Sequence, residues 1–245
     1  MKQKLKIGTL NLQLGVSTTK GYSQYLTTFW NYALPHSIEE VDQKAADIVK
    51  KLDLDILTLT EAEPGSRRVR RENQVEKISE LTDFTNALFL LYKKRNIGQC
   101  NGLCSKYPIQ TAVNHKLPRG IGYMSLGAAE LEVDDQYVTV MVTHLPVSRK
   151  DRKQPMKELV EIVNGTEGPV ILTGDLNTED QEELKPITEG TRLRTTDDYK
   201  TYPSWNPAIK LDHIFVSPEF EVDNVYVPDV RISDHLPLVA EVCLK

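Results

Sequence analysis

Apolar residues recur with two different periods along the chain, and each period predicts a different element. Alternation at every second position predicts short strands with one buried face. The clearest stretches of this kind are residues 5–9, 55–60, 129–133, 137–145, 170–173, 211–216 and 238–242. Because they alternate with helical stretches from end to end, without a repeat or a linker, we expect one α/β domain over residues 1–245.

The second period is helical. Between Ser37 and Leu52 the apolar residues return every three or four positions and form one stripe, and Ser37 with Glu40 predicts a capping box at its start. Further helices are expected over residues 73–81 and 153–163, and a short one after Asn177, with Thr178 as its N-cap.

Two aromatic segments, residues 15–35 and 188–207, show neither period. Function tends to reside on loops held by a rigid scaffold, so both are candidates to cover a cleft, and Tyr202 and Trp205 are candidates to bind substrate. The alternative, given equal weight, is that these aromatic side chains pack a small satellite core.

Composition narrows the class of protein. The net charge of -5 argues against a protein held to nucleic acid mainly by phosphate contacts, so nucleic acid is considered only as a substrate. Three cysteines do not form a disulfide framework, which favours free thiols and the cytoplasm. We see neither a signal peptide nor an apolar run long enough to span a membrane, and no feature demands a partner protein.

Several strands end in a carboxylate, amide or imidazole that keeps the parity of the apolar residues before it. The strand-end residues are Asn11, Glu61, His144, Asp175 and Asn177; Asp212 begins a strand, and Asp234 and His235 precede the last one. Each alone is more often a turn residue or a helix cap. Residues of one parity point to one face of a sheet, so together they predict a single polar pocket.

The residue types suit one chemistry. Glu61, Asp234 and Asn11 offer the hard oxygen ligands that Mg²⁺ prefers, with Mn²⁺ as a substitute, and no set of Cys and His ligands indicates structural zinc. The remaining polar residues suit orienting a water, accepting its proton and stabilising a phosphate: Asp175, Asn177, Asp212, His144 and His235.

At these residues the sequence resembles the endonuclease/exonuclease/phosphatase superfamily, which includes deoxyribonucleases, abasic-site endonucleases, sphingomyelinases and inositol-phosphate 5-phosphatases. The matching stretches are residues 9–12, 59–61, 101–109, 143–145, 174–177, 211–217 and 233–238, in the family's order and across nearly the whole chain. The resemblance implies an α/β, four-layer sandwich of two stacked mixed β-sheets flanked by helices, with the site at one end.

The resemblance also implies roles on the substrate and metal side of the site. Glu61 resembles the main metal ligand, with Asn11 and Asp234 close by. Asn101 resembles an amide that supports the substrate or the site.

For the reaction itself, Asp175 resembles the residue that activates the attacking water, and Asn177 the one that holds the phosphate. His235 resembles the imidazole that contacts the scissile phosphate, oriented by Asp212. His144 resembles a second histidine of the deoxyribonuclease and sphingomyelinase branches.

Three departures from the family pattern bear on function. Thr60 stands where many relatives have Gln, and Gln13 stands where some abasic-site endonucleases have Asp, which weakens a second metal site. Residues 62–68 lack the Lys-rich run of the abasic-site branch, which argues against DNA repair.

We therefore expect a magnesium-dependent hydrolase of a phosphodiester or phosphomonoester. One alternative is a nuclease, in which the basic cluster Arg67, Arg68, Arg70 and Arg71 holds a phosphate backbone, although a solvated loop explains that cluster better. The other is a catalytically silent binding module with the same fold.

Overall fold

The computed structural model describes residues 4–93, 99–118 and 123–245, which contain twelve strands and five α-helices. The strands are β1 (Lys4–Asn11), β2 (Ile56–Ala62), β3 (Asn86–Lys93), β4 (Gln99–Ser105), β5 (Ile109–Pro118), β6 (Tyr123–Val133), β7 (Gln136–His144), β8 (Val170–Asp175), β9 (Arg194–Thr195), β10 (Asp212–Val216), β11 (Phe220–Tyr226) and β12 (Leu238–Leu244). The helices are α1 (Gln24–Thr28), α2 (Glu39–Leu52), α3 (Gln74–Glu80), α4 (Arg149–Asn164) and α5 (Gln181–Thr188).

The strands form two mixed six-stranded sheets. The first has the order β11-β12-β1-β2-β4-β3 and the second the order β5-β6-β7-β8-β10-β9. Each sheet has a parallel pair at its centre, β1 with β2 and β7 with β8, and its other pairs are antiparallel. Parallel neighbours end at the same edge of a sheet, so residues that follow these strands are brought together.

Three apolar layers hold the sheets and helices together. Between the sheets lie residues such as Ile7 and Ile171, both fully buried. On the outer side of the first sheet, Leu59 packs against the apolar stripe of α2 and α3. On the outer side of the second sheet, Leu172 packs with Leu159 of α4. The predicted four-layer sandwich of two mixed sheets flanked by helices is confirmed.

The helix boundaries correct two predictions. Helix α2 begins at Glu39 with Ile38 at its N-cap. Ser37 Oγ accepts from the backbone N–H of Glu39 at 3.3 Å, but the predicted capping box of Ser37 with Glu40 is wrong. Ile38 is fully buried, and its packing fixes where the chain enters the helix. Helix α5 is capped by Asp180, whose side chain accepts from the backbone N–H of Glu182 at 2.9 Å, and not by Thr178.

Most of the strands that the pattern missed lie at sheet edges. Strands β3, β5, β9 and β11 are the outermost strands, and β5 is exposed along most of its length. Exposure weakens the apolar alternation of β5, whereas β3 carries a continuous apolar run, residues 87–91, that does not alternate. Strand β4 is internal but polar and glycine-containing, and it too was missed. Helix α4 begins four residues before the predicted position 153.

Two structural facts bear on the expected location. All three cysteines are free and buried. Across the described ranges, no helix combines the length and the apolar composition that a membrane crossing needs. The expectation about a signal peptide depends partly on residues 1–3, which lie outside the described residues.

Candidate active site

Strand ends from both sheets meet at one edge of the sandwich. Asn11, the last residue of β1, donates from Nδ2 to Oδ2 of Asp175, the last residue of β8, at 3.0 Å. Asp212, the first residue of β10, lies opposite Asp175 in the antiparallel ladder. A buried hydrogen bond between side chains therefore joins the two sheets where three of the predicted site residues converge.

Glu61 reaches this edge through a β-bulge. The register of β2 against β4 shifts between Leu59 and Ala62, and Glu61 takes a left-handed φ of 49°. Leu59 faces the helices, so simple alternation would have turned Glu61 the same way, away from the second sheet. The bulge re-aims it, and Oε1 lies 3.5 Å from Nε2 of His144. The parity argument for Glu61 is therefore wrong, although the residue lies at the site.

Asp212 and His235 form a buried pair. Nδ1 of His235 donates to Oδ2 of Asp212 at 2.7 Å, and Thr201 donates to the same oxygen at 2.5 Å. Burial by itself lowers the pKa of His235, but the charge and hydrogen bond of Asp212, helped by Asp175 and Asp234, raise it to about 10. The ring is therefore an imidazolium at neutral pH, with Nε2–H directed away from Asp212.

Asp175 lies between two imidazoles. Its Oδ2 is 3.8 Å from Nε2 of His235 and 3.7 Å from Nε2 of His144. Burial raises the pKa of Asp175, and the two histidines pull in the opposite direction without cancelling it. The backbone N–H of Asn177 donates to Oδ1 at 2.8 Å and fixes the carboxyl orientation. A buried carboxylate with a raised pKa is a stronger base than an exposed one.

His144 is held from two sides. Nδ2 of Asn177 donates to the carbonyl of Leu145 at 2.8 Å and also faces Nε2 of His144 at 2.9 Å, so this ring nitrogen accepts. Nδ1 of the ring faces the amide nitrogen of Gln99 at 3.4 Å, so each ring nitrogen of His144 has an amide nitrogen as a neighbour. The amide nitrogen of Asn177, expected to hold phosphate, is thus engaged in orienting His144.

Asp234 is bound by a residue that sequence reasoning missed. The hydroxyl of Tyr25 in α1 donates to its Oδ2 at 2.6 Å, and the hydroxyl of Tyr202 lies 3.4 Å from that of Tyr25. Burial raises the pKa of Asp234. The charge of His235 and the hydrogen bond from Tyr25 lower this pKa, and the charge of Glu61 raises it. Asp234 and Glu61 are thus two carboxylates close enough to repel each other.

An aromatic wall borders the site. The centroid of the Tyr202 ring lies 5.0 Å from that of the His235 ring. The rings of Tyr22 and Tyr25 pack edge-on against Trp205, with centroid distances of 5.1 and 6.1 Å. The two aromatic segments of the sequence therefore meet beside the strand ends. Tyr202 and Trp205 are half-buried, which leaves part of each ring accessible.

Asn101 occupies a different position from the other predicted residues. It is fully buried between the sheets, where Nδ2 donates to the carbonyls of Ser125 at 2.9 Å and Val142 at 3.5 Å. Its Oδ1 is buried without a hydrogen-bond partner among the described residues. These contacts tie the first sheet to the second near the bulge that carries Glu61.

The site offers oxygen ligands that suit a hard cation, and its carboxyl groups, Glu61, Asp175, Asp212 and Asp234, outnumber the imidazolium of His235. Oδ1 of Asp212 and Oδ1 of Asp234 are buried without hydrogen-bond partners among the described residues. Asp175, Asp212 and His235 also present ligand atoms within 4.8 Å of one another. Within that trio Asp212 and His235 are hydrogen-bonded to each other, and Oδ1 of Asn11 accepts from the backbone N–H of Gln13 at 2.8 Å.

The structure also shows which residues the sequence signal could not have found. Thr201 supports Asp212, and Gln99 faces His144, yet both lie in stretches without a motif. Tyr25 was within reach, since it belongs to the aromatic segment 15–35. Distant contacts of this kind leave no mark on local periodicity.

The basic cluster after Glu61 is divided by the fold. Arg68 is buried and donates from Nη2 to Oε2 of Glu63 at 2.8 Å, so it holds the loop together. Arg67, Arg70 and Arg71 are exposed. Only these three are accessible to a phosphate backbone, which weakens the nuclease alternative.

Comparisons with solved structures agree with this architecture. An endonuclease/exonuclease/phosphatase from Beutenbergia cavernae matches with a TM-score of 0.76 and 20% identity, over 100% of this chain and 72% of that chain. The mannosyl-6-phosphatase of Bacteroides thetaiotaomicron matches with a TM-score of 0.71 and 16% identity, over 97% and 99%. The human Nocturnin catalytic domain matches with a TM-score of 0.69 and 16% identity, over 100% and 96%.

Identities this low show a shared fold and nothing finer. No curated protein matches the chain. The model of the Endonuclease/Exonuclease/phosphatase family, in contrast, matches residues 8–235, which include all the strand-end residues described above. The chain therefore belongs to the endonuclease/exonuclease/phosphatase family.

Proposed function

We propose that this chain is a divalent-metal-dependent phosphoesterase, with Mg²⁺ as the natural ion and Mn²⁺ as a substitute. It hydrolyses a phosphodiester or phosphomonoester by in-line attack of water. We also infer that residues 1–245 form a single domain, which the apolar core shared by both sheets supports. The free thiols of all three cysteines support a cytoplasmic location.

The observation that carries the proposal is the position of Asp175. This buried carboxyl lies within 4 Å of two imidazoles, His144 and His235, and accepts a hydrogen bond from Asn11. A carboxyl group (Asp175), an imidazolium (His235) and an amide (Asn11) thus lie together at the edge of the sandwich. The family is generally hydrolytic, and the mannosyl-6-phosphatase fold neighbour is named as a phosphatase.

The residues proposed to hold the metal are Glu61, Asp234 and Asn11. The bulge places Glu61 near enough to Asp234 for its charge to raise the pKa of that carboxyl, and Oδ1 of Asp234 lacks a partner among the described residues. When bound, Mg²⁺ would supply positive charge to the phosphate oxygens. Binding it would also relieve the repulsion between the two carboxylates.

The remaining residues account for the proton transfers. Asp175 accepts a proton from the attacking water as the new P–O bond forms and the bond to the leaving oxygen breaks. His235, held as an imidazolium by Asp212, directs Nε2–H at the phosphate and neutralises the charge that develops on it. His144, oriented by Asn177, lies on the opposite side of Asp175 and contacts Glu61.

The proposal is tested with purified wild-type protein and Glu61→Gln, assayed on bis-p-nitrophenyl phosphate and p-nitrophenyl phosphate with Mg²⁺, Mn²⁺ or EDTA. Glu161→Gln, an exposed change on α4, is the matched control. The proposal is supported if p-nitrophenol release depends on the metal, is lost in Glu61→Gln and is kept in Glu161→Gln. The ester that is hydrolysed faster shows whether a diester or a monoester is preferred.

If folded wild-type protein releases nothing from either compound and calorimetry detects no Mg²⁺ binding, the silent-module alternative replaces the proposal. Binding of Mg²⁺ that Glu61→Gln abolishes would preserve the metal site while rejecting both model esters as substrates. A nuclease would instead show binding to nucleic acid that weakens steeply with salt.

A further inference from the structure

One run of the surface is unusually apolar. Five large apolar side chains between Tyr22 and Leu34 are exposed: Tyr22 (65%), Leu26 (80%), Phe29 (62%), Trp30 (60%) and Leu34 (54%). They are half of the ten exposed large apolar residues in the described chain, and the other five are scattered. Single exposed apolar residues are ordinary, whereas a cluster of this kind marks an interaction surface.

From here on we use the name aromatic segment for residues 20–36, which are the outer part of the stretch 15–35 together with His36. Its inner side is well anchored: Oε1 of Gln24 accepts from the backbone N–H of Thr19 at 2.8 Å, and Thr28 bonds Thr18 at 3.0 Å between hydroxyl oxygens. Tyr25 reaches inward to Asp234. The aromatic side chains are therefore held outward by a fixed base, so their exposure is a property of the fold.

Positive charge lies beside the aromatic segment. Nη1 of the buried Arg68 donates to the carbonyl of Asn31 at 2.6 Å, and the backbone N–H of His36 donates to the carbonyl of Arg68 at 3.1 Å. These bonds fix the loop of residues 66–71 against the segment, and its exposed Arg67, Arg70 and Arg71 form a basic rim. Exposed acidic residues lie nearby, Glu72 after Arg71 and Glu39 and Glu40 at the start of α2, so the basic character is confined to the three arginines.

We propose that the aromatic segment docks on the surface of an anionic phospholipid membrane. Trp, Phe and Leu side chains partition into the interface between headgroups and acyl chains, and Lys or Arg beside them attract anionic lipids. Leu26, Phe29 and Trp30 would enter the interface, and the basic rim would contact phosphate headgroups. In a two-fold dimer built on this surface the same arginines of both copies would lie close together and repel, which favours a lipid surface over a second copy.

The docking surface adjoins the candidate site. Tyr25 belongs to the segment and contacts Asp234, and Tyr22 packs on Trp205 at the wall of the site. A docked molecule would therefore hold the strand-end residues beside the lipid headgroups. The docking proposal itself does not depend on the phosphoesterase activity, and its test needs no turnover.

The test is co-sedimentation of the full chain, in EDTA, with vesicles of phosphatidylcholine alone or mixed with phosphatidylglycerol. Binding is expected to be stronger to the anionic vesicles and to weaken with salt. Replacing Phe29 and Trp30 together by Ser should reduce the affinity about tenfold or more, because two buried aromatic side chains are lost. The matched control, Tyr137→Ser, removes an exposed aromatic residue at the far end of β7 and should bind like wild type.

A fluorescence measurement gives an independent readout. The chain has two tryptophans, so Trp205→Phe leaves Trp30 as the single reporter, and its emission should shift to the blue on anionic vesicles. Circular dichroism melts confirm that each variant is folded. Changing Arg70 and Arg71 to Gln should weaken binding to anionic vesicles and leave binding to neutral ones unchanged.

Three outcomes overturn the proposal: no binding to anionic vesicles, equal binding by wild type and the Phe29/Trp30 variant, or a wild-type dimer that this variant converts to monomers in sedimentation. The last result assigns the surface to a second copy. Failure of the proposed activity is separate, since it appears as absent metal-dependent ester hydrolysis while vesicle binding persists.

Discussion

Glu61 and Glu63 are two residues apart at the end of β2, but they differ in burial and in the groups that compensate their charge. Glu63 is fully buried and satisfied: Oε2 accepts from Arg68 and Oε1 from the backbone N–H of Ser66, both at 2.8 Å. Glu61 is partly exposed, and the ion-pair contact described for it is His144 at 3.5 Å. Its charge also acts on Asp234, a second carboxylate.

The difference distinguishes a carboxylate that stabilises the fold, Glu63, from one that is available to a ligand, Glu61. Burying a carboxylate is costly unless a cation and hydrogen bonds compensate it, and Glu63 has both. Around Glu61 the compensation is incomplete, since Asp234 and Asp212 each keep a buried oxygen without a partner among the described residues. Incompletely compensated carboxylates are tolerated where a ligand supplies the missing positive charge. The surroundings of Glu61 are therefore the candidate site.

The largest expected effect is the loss of turnover in Glu61→Gln. The change removes a charge from the proposed metal site, so we expect hydrolysis to fall roughly 10²–10⁴-fold. Stability should stay the same or rise slightly, because repulsion with Asp234 is removed. Steady-state kinetics and thermal melts measure the two effects. If Glu61→Gln kept full activity, the assignment of Glu61 to the proposed metal site would be wrong.

Glu63→Gln should give the reverse pattern. It leaves the buried Arg68 without its counter-ion, and we expect the free energy of unfolding to fall by about 3–5 kcal/mol. Turnover per folded molecule should be unchanged. Urea unfolding measures the loss, and the double change with Arg68→Met should recover part of it. A stable but inactive Glu63→Gln protein would contradict this assignment.

Asp212→Asn tests the pair beside Glu61. Without the Asp212 charge, burial dominates and the pKa of His235 should fall from about 10 toward or below 6.5. The fall would reduce turnover roughly 10–10²-fold at neutral pH and move its alkaline limit downward. An NMR titration of His235 in metal-free protein checks the direction. Thr201→Val, which keeps the charge and removes one hydrogen bond, is the control and should shift the pKa less.

The same pair has a defined effect on stability. The folded pKa of His235 lies above its ordinary value of 6.5, so its contribution is fully present below pH 6.5 and is lost as the pH rises through about 10. In Asp212→Asn that alkaline loss should disappear. Unfolding free energies at pH 6 and pH 10 measure the difference.

The smallest expected effect concerns a third buried carboxylate, Asp42. Its Oδ1 accepts from Gln74 at 2.7 Å, its Oδ2 has no partner among the described residues, and burial raises its pKa to about 7. Between pH 3.8 and 7 the folded protein keeps a proton that the unfolded chain releases, so stability falls as the pH rises. Asp42→Asn should abolish this dependence and stabilise the protein at pH 8 relative to pH 5. Urea unfolding at pH 5 and pH 8 checks it, and a variant less stable than wild type at pH 8 would contradict it.

Much of the fold was predictable because its inner strands have strong patterns. In β1, β7, β8, β10 and β12, buried residues dominate the strand, and the sequence pattern located all five. Strands β5 and β11 were missed because they are exposed along much of their length, whereas β3 has a continuous apolar run, residues 87–91, without alternation. The helix caps were misplaced by one or two residues: Ser37 accepts from the backbone N–H of Glu39 but lies one residue before the N-cap Ile38, and Asp180 caps α5 two residues after Thr178.

The sequence by itself determined the fold family and the identity of the polar residues at the strand ends, because those depend on local order along the chain. It did not determine which charges are balanced. The bulge that turns Glu61 toward His144, the Arg68 that neutralises Glu63 and the Tyr25 that reaches Asp234 were decided by tertiary structure. Electrostatic compensation depends on distances in space between residues far apart in sequence, and a period of two or 3.6 carries no information about such distances.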